Sequence, residues 1–242
     1  MAEGKFRKYL KYATGEVILV VIGILIALQI NNCNEGRKAA FVEQQYLEAL
    51  RDEFKSNLAE VNRVITSCDS AFRSCKQVIN KMDEDGQRLT DLELQQAHMN
   101  AFRFPPKFTQ SPGILNDLIN SGYLSKLNNI ELRSQLQRWL VTIQEVKDEE
   151  DEFWQHREKV IEFMQREYSF RKFMIEAEEG FIGEIVPNDT TKDNVSLFYD
   201  EELDNIMLLY SLVMRSLQLH YYPALKENIE LILAEIEKSL SE

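Results

Sequence analysis

The sequence is poor in the residues that break regular structure. Nine glycines and five prolines in 242 residues leave little material for tight turns. No P-loop, glycine-rich dinucleotide turn or G-x-S-x-G elbow occurs. A charged content of 28% beside so little Gly and Pro points to long helices rather than a sheet. Three cysteines do not make a disulfide framework. Cys68 and Cys75, seven residues apart, would share a helix face about 10 Å apart along the axis, too far for a bridge, and read as small buried apolar residues. The three histidines, His98, His156 and His220, sit at no metal-ligand spacing, so no metal and no cofactor are expected. His156 and His220 could meet in a helical core, but a satisfied or exposed imidazole is the expectation for each. Basic residues are also scarce, 28 against 40 acidic, for a net charge of −12. Residues 1–16 carry Lys5, Arg7, Lys8 and Lys11 against Glu3 and Glu16, a local +2 that leaves −14 on the remainder. Such an acidic body excludes a nucleic-acid partner and disfavours docking of the body on anionic lipid.

What the chain does have is one long apolar run, "ATGEVILVVIGILIALQINN", residues 13–32. Val17 to Leu28 holds no polar side chain, and Ala13 to Ile30 is just long enough to cross a hydrocarbon core of about 30 Å. Four basic residues precede it, and only Arg37 and Lys38 follow closely. The positive-inside rule then puts residues 1–12 in the cytoplasm and residues 37–242 on the other side. "LQINNCNEG" lacks the small residues of a signal cleavage site, so an uncleaved anchor over 13–32 is expected. At helical spacing Glu16, Val20, Gly23, Ala27, Asn31 and Asn34 share one side. Gly23 and Ala27 form a small-xxx-small pair of the kind that lets membrane helices approach closely. Three roles for Glu16 stay open: a headgroup contact, part of a seam between copies, or the lining of an ion path.

"KYATGEVILVVIGILIALQINNCNEGRK" resembles the opening of a large uncharacterised family of bacterial membrane proteins with a domain of unknown function. Its members start with a basic stretch, then Tyr-Ala-x-Gly-Glu, then Ile-Gly-Ile-Leu-Ile-Ala-Leu-Gln-Ile-Asn-Asn. The likeness is close over residues 9–38, with a weaker echo at "LINSGYLSKLNNIELRSQL", residues 118–136. Cys33 stands where such members usually carry Trp, which removes an aromatic interface anchor. The resemblance implies a single-pass protein of the bacterial inner membrane and no particular activity.

The body predicts an all-α fold, in which the transmembrane helix continues into an elongated antiparallel helical bundle with coiled-coil-like seams. Leu47, Leu50, Phe54, Leu58, Val61, Ile65, Cys68, Phe72, Cys75, Ile79 and Met82 step by three and four, and only Gly36 offers a break before them. "DEDG" ends this helix at Gly86. Thr90 and Glu93 form a capping box for a short helix to about Phe102, and Pro105–Pro106 force a loop over 103–113. Ser111-Pro112 opens another short helix that ends at Gly122. Asn129 caps a second long helix, about 130–172, with the stripe Leu132, Leu136, Trp139, Ile143, Val146, Glu150, Phe153, Arg157, Val160 and Met164. Glu150 and Arg157 interrupt it. Drift of the stripe onto Trp154 and Ile161 would carry both charges to water, with "DEED" (148–151) as a solvated face. Asp200 opens a third long helix to about Leu240, kinked or split at Pro223, with Leu203, Ile206, Tyr210, Val213, Leu217, Ile229, Ile232 and Ile236 inward. Segment 84–128 either caps the far end or folds back as a broken strut. If the second long helix returns, the connection 176–199, with Phe181, Ile182, Ile185 and Val186, lies beside the bilayer.

Functionally the expectation is a non-enzymatic, self-associating envelope scaffold or assembly factor. Its partners would be membrane lipid, further copies of itself through the membrane helix, and another membrane protein. One rival is an extracytoplasmic ligand-binding or sensor module, with His220, Tyr221, Tyr222 and Pro223 as a possible pocket wall at the kink. The other is an oligomeric channel or ion-coupled component using Glu16.

Overall fold

The computed structural model describes residues 3–103, 105–177 and 194–241. The chain divides into two compact units, Met1–Ala49 and Leu50–Glu242. Helix α1 (Glu3–Asn80) runs through Gly36 without a break. Among the described residues every regular element is helical, and the sole β feature is an isolated bridge between Met82 and Arg88.

The second unit is built on residues 50–80 of α1 together with α2 (Asp91–Arg103), α3 (Gly113–Asn120), α4 (Ile130–Glu167), α5 (Phe170–Ala177), α6 (Glu201–Ser216) and α7 (Tyr222–Ser241). The capping signals act as their chemistry dictates. Thr90 and Glu93 exchange backbone and side-chain bonds in front of α2. Asn129 Oδ1 accepts from Leu132 N at 2.9 Å to start α4. Asp200 accepts from Glu202 N and Leu203 N to start α6. Lys81 closes α1 at φ 57°, the left-handed position that usually takes glycine, and Asp204 holds its Nζ at 3.0 Å.

Cross-helix bonds fix the topology. Asn129 at the start of α4 meets Glu235 and Ser239 near the end of α7, Glu150 meets Tyr222, and Arg166 at the end of α4 meets Glu202 at the start of α6. α4 is therefore antiparallel to α6–α7. So is α1, since Cys75 Sγ approaches Met207 O and Cys68 Sγ approaches Met214 O. α1 and α4 then run parallel, and Phe54 meets Trp139 edge to face at 5.2 Å. The return pass is made by segment 91–120, so the bundle is up-down-up-down. This corrects the path in which the second long helix comes back along the first. The flanks of the 176–199 connection lie at the Lys81 end of α1, where Tyr199 OH receives Arg88 at 2.9 Å. The patch Phe181, Ile182, Ile185 and Val186 lies outside the described residues.

Two further corrections concern periodicity. On α1 the fully buried seam is Leu50, Phe54, Asn57, Val61, Val64, Cys68, Ala71, Cys75 and Val78. Leu58, Ile65, Phe72 and Ile79 flank it half-buried, and Met82 is exposed. Larger apolar residues on the flank outweighed the polar Asn57 and small Ala71 at the true contact. α4 ends at Glu167, five residues before the expected 172, where Tyr168 turns to extended backbone. In the last pass, Pro223 lacks the N–H that would bond Leu219 O. The turn before it, Leu217–Tyr221, widens to π, with Tyr222 N donating to Leu217 O. The helix thus passes the proline without a stop.

Candidate functional site

The apolar segment of α1 comes first. From Ile18 to Ile30 its large side chains are exposed on every side of the helix, Leu19 at 72% and Ile30 at 65%. An 18-residue window there has mean hydropathy 1.6 and is 0% buried, so one helix is long and apolar enough to cross a membrane. Glu16, Gly23, Ala27 and Asn31 all lie in this exposed stretch. A Cβ on Gly23 would meet nothing within 4 Å. Cys33, just past the run, is exposed, whereas Cys68 and Cys75 are buried.

Inside the second unit, α1 presents a row of polar side chains to the backbone of the irregular segment 105–112. Arg63 donates to Lys107 O, and Glu60 accepts from the Thr109 backbone. Asn57 Oδ1 takes Ser111 N at 2.8 Å while its Nδ2 reaches Ser111 O. Glu53 accepts from Ile114 N and Leu115 N, capping α3 from another helix in place of Pro112, which gives no side-chain cap. The partner number falls by about two for each helical turn of α1, the advance of a near-extended chain. From the other side Glu150 accepts from Phe108 N at 2.7 Å and from Tyr222 OH at 2.9 Å.

Glu150 is 3% exposed, which overturns its expected drift to water and removes it from the solvated face of 148–151. Arg157 is half-buried, with Nη2 on Phe102 O at 3.3 Å and its guanidinium 5.2 Å over the Trp154 ring. Burial raises the Glu53 and Glu150 carboxyls above their usual range, against the lowering pull of the bonds they accept.

His98 is the third feature. It is fully buried between Phe102, Tyr168, Phe173 and Phe198, with ring centroids 5.0–5.9 Å away. Its Nε2 lies 3.0 Å from Met164 Sδ, and Nδ1 has no partner. Desolvation lowers its pKa to about 3, so the ring is neutral. His156 is half-buried and His220 exposed, so neither stands in the core where they could have met. Of the other residues at the kink, Tyr222 is buried on Glu150, Tyr221 is half-buried and Pro223 is exposed.

Of these features, sequence reasoning located the apolar run and the odd position of Glu150. It missed Glu53, Asn57 and His98 as interior groups. Glu53 stands three residues after Leu50 and Asn57 three after Phe54, at seam spacing, and that was the available signal. Among the described residues no group of three or more His, Cys, Asp or Glu gathers at metal-holding distance.

No curated protein and no solved structure matches the chain. A family of unknown function, DUF6090, matches residues 16–142, which takes in the apolar run, the polar row of α1, segment 105–112 and the first turns of α4. That match covers more than half of the sequence, and the chain belongs to the DUF6090 family.

Proposed function

We propose that this chain is a bitopic protein of the bacterial inner membrane, anchored by residues 13–32, with residues 1–12 in the cytoplasm and the helical domain in the periplasm. It acts without catalysis, as a self-associating scaffold or assembly factor that can engage another membrane protein. The observation that carries the reading is exposure of an apolar helix around its whole circumference. At about 25 cal/mol per Å² such a surface is strongly unfavourable in water, and a bilayer removes that cost. The basic residues before the run and their thinning after it support the orientation.

Self-association uses the Glu16, Gly23, Ala27 and Asn31 face, where small residues allow close approach and the polar ends are kept from lipid. Cysteine cross-linking in native membranes tests this, with Asn31→Cys in a Cys33→Ser background. A covalent dimer is expected, reduced several-fold by Gly23→Leu. A Cβ at Gly23 would meet no part of its own chain beyond the adjoining helix backbone, so an effect of that substitution reports a partner. A monomer at every expression level, or cross-linking indifferent to Gly23→Leu, contradicts the self-association.

A further inference from the structure

Four elements meet on one imidazole. His98, on α2, is walled by Phe102 of its own helix, by Met164 near the end of α4 with Tyr168 just beyond it, by Phe173 of α5, and by Phe198 of the 3-10 turn Ser196–Tyr199. All of these side chains are buried. His98 Nδ1 and Tyr168 OH are shut off from solvent in this corner without a hydrogen-bond partner. Such groups disfavour the closed arrangement, and both regain water if the elements part. The elements that can part are short. α5 has eight residues, and the backbone leading into it turns extended at Tyr168. Next to Tyr168, Ser169 is clasped by Asn194, whose Oδ1 accepts from Ser169 N at 2.9 Å and whose Nδ2 donates to Ser169 O at 3.1 Å. The clasp joins the two stretches of chain that bring Tyr168 and Phe198 to the ring. Short, weakly anchored elements of this kind are where local opening begins.

We propose that His98 is an acid-sensitive latch: a proton on its ring frees α5 and the Ser169–Asn194 clasp from α2, while α4, α6 and α7 stay packed. An imidazolium in this corner has no acceptor for the N–H at Nδ1. Tyr168 is the titratable group in contact with the ring, and burial pushes its own ionisation up, so it supplies no negative charge. The charged groups of the packing elements are Arg103 on α2, Arg166 and Glu167 on α4, Arg171 and Lys172 on α5, and Asp200 after the 3-10 turn. They stand at exposed or half-buried positions, and burial alone holds the titration of His98 at about 3. In the opened corner the ring meets water and returns toward 6.5. The open form then takes up a proton that the closed form refuses, so the opening equilibrium rises about tenfold from pH 7.5 to pH 5.5. Acid acts the other way on the rest of the bundle, where the raised carboxyls of Glu53 and Glu150 favour the folded state.

The test is amide hydrogen exchange of the full chain in lipid nanodiscs at pH 7.5 and pH 5.5, corrected for the intrinsic rates. Protection over residues 169–177 and at Phe198 should fall about tenfold at the lower pH, while amides of α7 keep or gain protection. His98→Phe puts an aromatic ring without a titrating nitrogen in the same corner and should abolish that ratio. Asn194→Ala removes the clasp and leaves the imidazole. It should speed exchange over 169–177 several-fold at both pH values with the tenfold ratio kept, and it stands in for the first variant if His98→Phe does not fold. Equal protection at both pH values, an acid loss that extends to α7, a ratio that survives His98→Phe, or exchange over 169–177 indifferent to Asn194→Ala would each overturn the proposal.

Discussion

Glu150 occupies a position where the seam of α4 calls for leucine, and it is held there by two donors that come from different parts of the chain. Truncation strands both. Glu150→Ala leaves Phe108 N and Tyr222 OH buried without an acceptor, and chemical denaturation should report a loss of about 3 kcal/mol. Glu150→Gln keeps an acceptor oxygen and should cost less than half as much.

His98 works in the opposite sense with pH. Its folded pKa of about 3 is below the ordinary value, so its contribution is complete above pH 6.5 and is lost as pH falls toward 3. The slope is about 1.4 kcal/mol per pH unit. Glu53 and Glu150 have raised pKa values, so their contribution is present below the ordinary carboxylate range and is lost as pH rises through the folded values. Acidification from pH 6.5 therefore sets His98 against the two carboxyls. His98→Phe should flatten the acid limb of a stability-against-pH curve. An unchanged acid limb would contradict the assignment. The sequence showed Glu150 as an anomaly without its partners, because Phe108 and Tyr222 lie 42 and 72 residues away and no local pattern links them.

At the scale of elements, caps and breakers were legible and packing faces less so. Thr90, Asn129, Asp200, Gly122 and Pro223 each act within four residues of themselves, so their signals survive in one sequence. The seam of α1 was read correctly at Leu50, Phe54, Val61, Cys68 and Cys75 and misread by one position between them, and Asn57, like Glu53, is polar for a reason outside the helix: they bind the backbone of 105–115. That function belongs to the element pair and is separable by measurement. Glu53→Ala should speed amide exchange at Ile114 and Leu115 about tenfold, the worth of a helix cap, while amides in α7 keep their protection. Uniform acceleration throughout the bundle would instead show that Glu53 supports the whole unit. Pro223 illustrates the other limit. A kink or a split was expected, and one π turn divides α6 from α7 there and absorbs the missing bond, with Tyr222 buried and within reach of Glu150.

For the whole molecule, the helical class and a helix long and apolar enough to cross a membrane came through in composition and hydropathy, while the direction of each pass did not. Helix lengths of similar size suit several topologies, and the choice between them rests on contacts such as Phe54 with Trp139 and Arg166 with Glu202. The anchored reading makes Cys33 a reporter. It is exposed, whereas Cys68 and Cys75 are buried and their thiols are pushed up to about 12 by burial, so the folded domain offers no competing thiolate. The most direct measurement is therefore labelling of native protein in sealed spheroplasts with a membrane-impermeant maleimide, before and after permeabilisation. The account predicts one label per chain, on Cys33, complete before permeabilisation. Label on Cys33 that comes only after permeabilisation would contradict it.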